Sequence, residues 1–233
     1  MPEETAPTDT TPAPTPAPTG SRSPSSVLGA LGCGCVALVV VPVIALVALL
    51  AWFLSGSTDT PRVAPEEMAD RAFQRSQEAY DLMGFKRTVE PGVEKIGVST
   101  ENTLDSGYCW GGGLLGLEDK TIDGAYQMSH VWALDHVPAS QAVSGLGRLH
   151  RQLKDDGWEV TSYREGGKSQ SWDLYVQRDN GAESMSFTWY QDREYFIGRA
   201  SVPCAYDPEW KGGDSGPAEV DRTPPALGPA LRK

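Results

Sequence analysis

Between Arg22 and Asp59 the chain carries no charged side chain, and the stretch from Val27 to Leu54 reads VLGALGCGCVALVVVPVIALVALLAWFL. An α-helix rises about 1.5 Å per residue, so roughly 20 such residues cross the hydrocarbon layer of a bilayer. A run this long and this uniformly apolar is expected to form one transmembrane helix over residues 27–55, with the lipid bilayer contacted through residues 28–54. Pro42 is compatible with a span, because neighbouring groups re-satisfy the carbonyl that a proline frees. Trp52 and Phe53 suit the interface at the exit. A cleaved signal peptide fits less well, since its apolar core is only about 7 to 15 residues long and follows a basic start. Here the leader is acidic and proline-rich.

The span divides the rest of the chain. Residues 1–26 are mostly Pro, Thr, Ala and Ser, including PAPTPAPTG, a composition that buries no core and predicts a disordered tail of polyproline II character. Residues 56–64 read as a linker and 65–207 as one folded domain. Residues 208–233, with Gly212-Gly213, Pro217 and Pro224-Pro225, read as a second disordered tail. Within the span, Gly29/Cys33 and Ala30/Gly34 are small residues four apart, a spacing that lets two helices approach and allows weak self-association.

Charge narrows the partners. The chain carries -11, and from Asp59 onward 19 basic against 28 acidic residues leave -9. Such a field repels phosphate backbones, and no clustered basic footprint offsets it, so nucleic acid is not an expected partner. A polybasic lipid-binding cluster beside the span is likewise missing.

One arginine flanks each side of the span, Arg22 and Arg62, which gives the positive-inside rule little to count. The cysteines are more telling. Cys109 and Cys204 are the only cysteines in the folded region, and an even pair bracketing a domain reads as a disulfide made in an oxidising compartment. Closing a loop approaching 100 residues stabilises by on the order of 4 kcal/mol in the chain-entropy model. Two free thiols in a cytoplasmic domain are the alternative. The expected topology is a single-pass cell-membrane protein with its N-terminus cytoplasmic and its C-terminal domain extracytoplasmic.

The folded region opens with Pro65-Glu66-Glu67, a first-turn proline with carboxylates at the positive end of a helix. Ala69, Ala72, Phe73, Ser76, Ala79, Tyr80 and Met83 recur at helical spacing, and Gly84 supplies the stop. A short strand is expected around Val93 to Val98, then a glycine-rich turn region around Cys109-Trp110-Gly111-Gly112-Gly113. From Gly124 to Leu134, Tyr126, Met128, His130, Trp132 and Leu134 alternate with smaller residues, which is strand periodicity. Pro138 starts a second helix with the stripe Ala142, Val143, Leu146, Leu149 and Leu153, ended by Gly157. Strands then follow at Trp158 to Tyr163, Trp172 to Gln177, Met185 to Tyr190 and Tyr195 to Val202. The links at Gly166-Gly167 and Asp179-Asn180-Gly181 are short enough to force antiparallel neighbours. The inward set is Trp158, Val160, Trp172, Leu174, Val176, Met185, Phe187 and Trp189, with Asp173, Gln177, Ser186 and Thr188 facing away. The fold class is α+β, an antiparallel sheet of about four to five strands packed with two helices and preceded by one transmembrane helix.

The Pro/Thr-rich leader, the single span and a small disulfide-bearing domain with the phrase LKDDGWEVTSYRE (Leu153 to Glu165) together resemble uncharacterised single-pass envelope membrane proteins and lipoproteins of high-GC actinobacteria. The resemblance implies an envelope location and brings no catalytic residues with it. It departs from the lipoprotein members, because no lipobox precedes Cys33.

Chemistry-bearing motifs are sparse. His130 and His136 flank Trp132 and Asp135 in HVWALDH, and His150 lies on the second helix, but their spacing matches no zinc signature. GxSxG, HExxH and P-loop patterns are absent, and the glycines at 111–113 lack the Lys and Ser/Thr of a phosphate cradle. Cys33-Gly34-Cys35 sits at the start of the span. No cofactor is expected. Trp110, Tyr163, Tyr175, Tyr190 and Trp210 fall outside the inward set, and exposed aromatics favour interfaces. Trp110, Tyr163, Tyr175 and Tyr190 are therefore the candidate binding surface. The expected function is a membrane-anchored extracytoplasmic binding or accessory module for a protein or cell-wall partner. A cell-envelope hydrolase or metal-dependent enzyme, and a structural subunit of a membrane complex, are the rival readings.

Overall fold

The computed structural model describes residues 41–46, 60–112, 119–167, 171–213, 216–218 and 220–229. The chain divides into two compact units, Met1–Thr58 and Asp59–Lys233. In the first, residues 41–46 are helical and exposed. The rest of the expected span over 27–55, and the tail over 1–26, lie outside the described residues. Among the described residues no helix is long and apolar enough to cross a membrane.

The second unit begins with helix α1, Pro65–Met83. Proline in its first turn and Glu66 and Glu67 beside it complement the free N–H groups of the helix start. Gly84 ends it in a left-handed conformation at φ 71°. Helix α2 is Ala139–Asp155. Its buried stripe is Ala142, Gly145, Leu146, Leu149 and Leu153, close to the expected one, with Gly145 in place of a partly buried Val143 because α1 passes there: a Cβ at 145 would lie 3.2 Å from the Met83 carbonyl oxygen.

Between and after the helices run β1 (Gly92–Val93), β2 (Glu101–Gly112), β3 (Asp119–Leu134), β4 (Glu159–Arg164), β5 (Trp172–Arg178), β6 (Glu183–Tyr190), β7 (Tyr195–Ser201) and β8 (Ala205–Tyr206). They form one sheet of order β1-β2-β3-β7-β6-β5-β4, with β8 also paired to β3. Every named pair is antiparallel. The class is α+β as expected, but the sheet has eight strands rather than four to five. The stretch expected to be a glycine-rich turn is the second half of β2, which pairs with the start of β3. Its glycines and polar residues carry no alternating apolar face, so its extension depends on the partner strand. The strand expected at Val93 to Val98 shrinks to β1, because Lys95 to Ser99 close a turn in which the Ser99 hydroxyl accepts from the Lys95 N–H at 2.8 Å.

Both helices cover the same face of the sheet, and the main core lies beneath them. Its centre is Trp132, which stacks on Phe196 with ring centroids 5.5 Å apart and meets Tyr80 edge-on at 5.1 Å. Directly opposite Trp132 in the sheet is Gly198. The indole lies over that glycine, and any Cβ there would overlap its ring atoms. A smaller cluster, Met68, Ala69, Ala72, Tyr126, Met128, Val202 and Ala205, fills the space under the start of α1.

The chain ends of the domain are docked further than composition implies. Residues 60–64, expected as part of a linker, run beside β8: Tyr206 N–H donates to Pro61 O at 2.8 Å, and Val63 N–H to Tyr206 O at 3.1 Å. The stretch expected to be a detached tail over 208–233 returns to the domain at its end. Leu227 is fully buried and exchanges two backbone hydrogen bonds with Val89, at 2.7 and 3.0 Å. Gln77 donates to Gly228 O at 2.6 Å. One buried leucine, a pair of main-chain bonds and side-chain bonds from Gln77 and Asn102 hold a segment whose composition is that of a loop.

Cys109 and Cys204 are joined in a disulfide with Cα atoms 6.0 Å apart and a sequence separation of 95. The double variant Cys109→Ser/Cys204→Ser is expected to lose about 4 to 5 kcal/mol of stability, read as a fall in melting temperature on the order of 10 °C. Gly198→Ala is expected to cost about 3 kcal/mol or more, because the rigid Trp132 ring has nowhere to retreat; urea unfolding at unchanged m-value measures it.

Candidate functional site

The face of the sheet turned away from the helices is polar, and the strand register shows how. One row of neighbours runs Asp105, Ser129, Ser201, Ser184, Gln177 and Glu159 across six strands. The next row runs Thr103, Val131, Arg199, Ser186, Tyr175 and Ser162. Alternation along each strand sends most of the bulky apolar residues to the helices and these hydroxyl, amide and charged groups to the outer face, where Ser129 is buried among its neighbours and Val131 interrupts the polar row. Arg199 anchors the middle, donating to Asp105 Oδ2 at 2.6 Å and to Ser129 Oγ at 2.7 Å. Beside it lies a hollow of about 310 Å³ bordered by Thr161, Tyr175, Gln177, Ser184, Ser186 and Arg199. Tyr175 is 42% exposed at its rim.

The four aromatic residues proposed from sequence do not form one patch. Tyr175 stands on the polar face as parity requires. Tyr163 does not, because a bulge between Val160 and Ser162 shifts the pairing of β4 with β5. One extra residue reverses the side-chain alternation beyond it, so Tyr163 packs on the helix side, stacked on His150 with centroids 4.2 Å apart. Tyr190 lies at the end of β6 under the Arg193 guanidinium, 4.3 Å from its ring centroid. Trp110 is 61% exposed on the far part of β2. Trp210 packs against Gly124. Arg199 was not among the sequence candidates, although its place between inward Gly198 and Ala200 makes it readable from alternation once β7 is drawn.

The three histidines are dispersed in role. His136 is 85% exposed and sits 3.1 Å from the Asp135 carboxylate. His150 is occupied by Tyr163. His130 is fully buried, edge-on to Phe73 at 5.1 Å, with Nε2 2.7 Å from Asn102 Oδ1. Asn102 Nδ2 donates to Val89 O and Pro225 O, each at 2.9 Å, which leaves its Oδ1 as the acceptor. His130 is therefore the neutral tautomer with its proton on Nε2. Burial lowers its pKa to about 4. Among the described residues no group of three His, Cys, Asp or Glu side chains is placed to hold a metal ion.

A second cleft, of about 540 Å³, opens between α1, the end of α2 and the β5–β6 edge. Its charged groups are already engaged. Glu183, with only 6% of its side chain exposed, accepts from Arg75 Nε at 2.7 Å and from Arg178 Nε at 2.5 Å. Arg178 in turn lies 4.5 Å over the Trp158 ring. A carboxylate held by two guanidiniums braces the helix to the strand end.

Comparison with known proteins leaves the geometry to speak for itself. No family model, curated protein or solved structure matches this chain.

The buried His130 carries a pH signature. Its folded-state pKa of about 4 lies below the unfolded value of about 6.5. The unfolded chain then binds the extra proton first, so stability is complete above that unfolded value and falls as pH drops towards the folded one, by about 3 kcal/mol in all. His130→Gln keeps a donor for Asn102 but does not titrate. Equilibrium unfolding at a series of pH values is expected to show the slope in the wild type and a much flatter line in the variant.

Proposed function

We propose that this chain is a single-pass membrane-anchored protein whose α+β domain lies outside the cytoplasm and works as a binding or accessory module. The partner is a protein or cell-wall component that docks on the open face of the sheet. Support for the anchor comes from the uncharged apolar run over residues 28–54, and for the compartment from the Cys109–Cys204 disulfide. The observation that carries the binding role is the sheet itself. Helices cover one face only, and the other carries two rows of mostly hydroxyl, amide and charged groups, with Val131 among them, beside a hollow bordered by Tyr175 and Arg199.

Such a face suits reversible recognition. It is polar enough to remain in water without a partner, and it supplies many donors and acceptors in fixed register. Tyr175 adds a rigid aromatic anchor beside Arg199, and these two residue types are enriched where interfaces concentrate their binding free energy.

The test uses the full-length chain in intact cells, with a photo-crosslinking residue at position 175 and, as control, at the exposed Ser144 of α2. A discrete adduct is expected from position 175 and not from 144, and Arg199→Glu is expected to reduce it at least about fivefold. Equal labelling from both positions, or no adduct from position 175 under any growth condition, removes the reading. Cysteine labelling from outside the cell after mild reduction tests the topology separately.

A further inference from the structure

At the hairpin end of the sheet, away from the open face, a third cavity of about 300 Å³ lies between the start of β3, the exposed side of β2 and the segment after β8. That volume is at the lower end of small-molecule sites, about 300 to 1,000 Å³. Its walls include Tyr108, Thr121, Asp123, Asp207 and Trp210, and among the described residues no lysine, arginine or histidine lines it.

The site is held in place. The disulfide ties Cys109, next to Tyr108, to Cys204, next to β8. Asp207 N–H donates to Gly124 O at 3.0 Å and Trp210 N–H to Asp207 O at 3.3 Å. Gly124, at φ 74°, has the Trp210 indole where a Cβ would stand, so only glycine allows this seating of the ring.

Three features of the lining are unsatisfied by the protein. The Trp210 Nε1–H is buried and has no acceptor among the described residues, a state that costs about 1 to 3 kcal/mol until one is supplied. Asp207 uses Oδ1 to accept the Glu209 N–H at 2.8 Å and has Oδ2 in reserve, while Asp123 is exposed and makes no hydrogen bond or ion pair among the described residues. Tyr108 leaves 49% of its surface in solvent, and Trp110, 61% exposed, stands opposite Thr121 of the cavity wall.

Ligand classes can be sorted by what these groups need. An anion meets two carboxylates and no base, which is repulsive. An alkylammonium satisfies the carboxylates and the ring faces but gives the Trp210 N–H no acceptor. A sugar ring offers C–H faces to the aromatics, hydroxyl donors to the carboxylates and hydroxyl oxygens to the indole N–H. We propose that this cavity is a subsite for one unit of a neutral saccharide, with Trp110 placed to meet the next unit. It stands apart from the open sheet face and does not depend on the reading given to that face.

The experiment is calorimetric titration of the full-length chain in detergent with neutral trisaccharides: the N-acetylglucosamine trimer, maltotriose and mannotriose. Tetramethylammonium is titrated in parallel. Binding of at least one trisaccharide in the millimolar range or tighter is expected, weakened about tenfold or more by Trp210→Ala and by Asp123→Asn, and unchanged by Ser144→Ala. Asp123 is exposed, so its variant reports on the site even where Trp210→Ala disturbs the fold. No binding by any trisaccharide, binding indifferent to Asp123→Asn, or binding by tetramethylammonium alone each overturns the proposal.

Discussion

Trp132 occupies the middle of the domain because β7 presents no side chain beneath it. The indole lies over Gly198, stacks on Phe196 and meets Tyr80 of α1 edge-on. One large ring thus joins β3, β7 and the first helix. A β-branched residue at 198, the usual occupant of a central strand, would lift the ring and with it the helix. The burial of such a ring removes roughly 150 to 250 Å² from water, and its planar shape fixes the direction from which α1 packs. The separation of the sheet into a covered face and an open one follows from this seating.

The open face is possible because the covered face holds nearly all the large apolar side chains. Parity then leaves serines, threonines, Gln177, Arg199 and Asp105 for solvent. Two ionisable groups of the interior have partners there: Glu183 takes two guanidiniums, and His130 pairs through Nε2 with Asn102. Asn102 in turn holds the carbonyls of Val89 and Pro225, so a polar pair in the core also fastens the C-terminal segment.

The two helices, the four strands after α2 and the inward face of β3 were all legible in sequence, since each carries its own periodicity and its own stop. What escaped depends on partners distant in the chain. β2 is polar and glycine-bearing, and is a strand only because β3 lies alongside it. β8 has two residues, too few for any period. Of the candidate site, Tyr175 was readable from alternation in β5, while Tyr163 was misassigned because nothing in VTSYR announces the bulge that turns it round. Trp210 looked like part of a tail, and its seat on Gly124 becomes visible only when β8 folds back along β3.

The docking of residues 60–63 on β8 has a mechanical side. The bridge between Arg62 and Tyr206 is parallel, and β8 follows directly after Cys204, which is bonded to β2. Tension on the polypeptide upstream of Thr60 meets the fold first at that short strand, which a covalent staple ties to the long hairpin. The aromatic-lined cavity lies beside this path, so the disulfide and the β8 pairing that take up the pull also frame its walls.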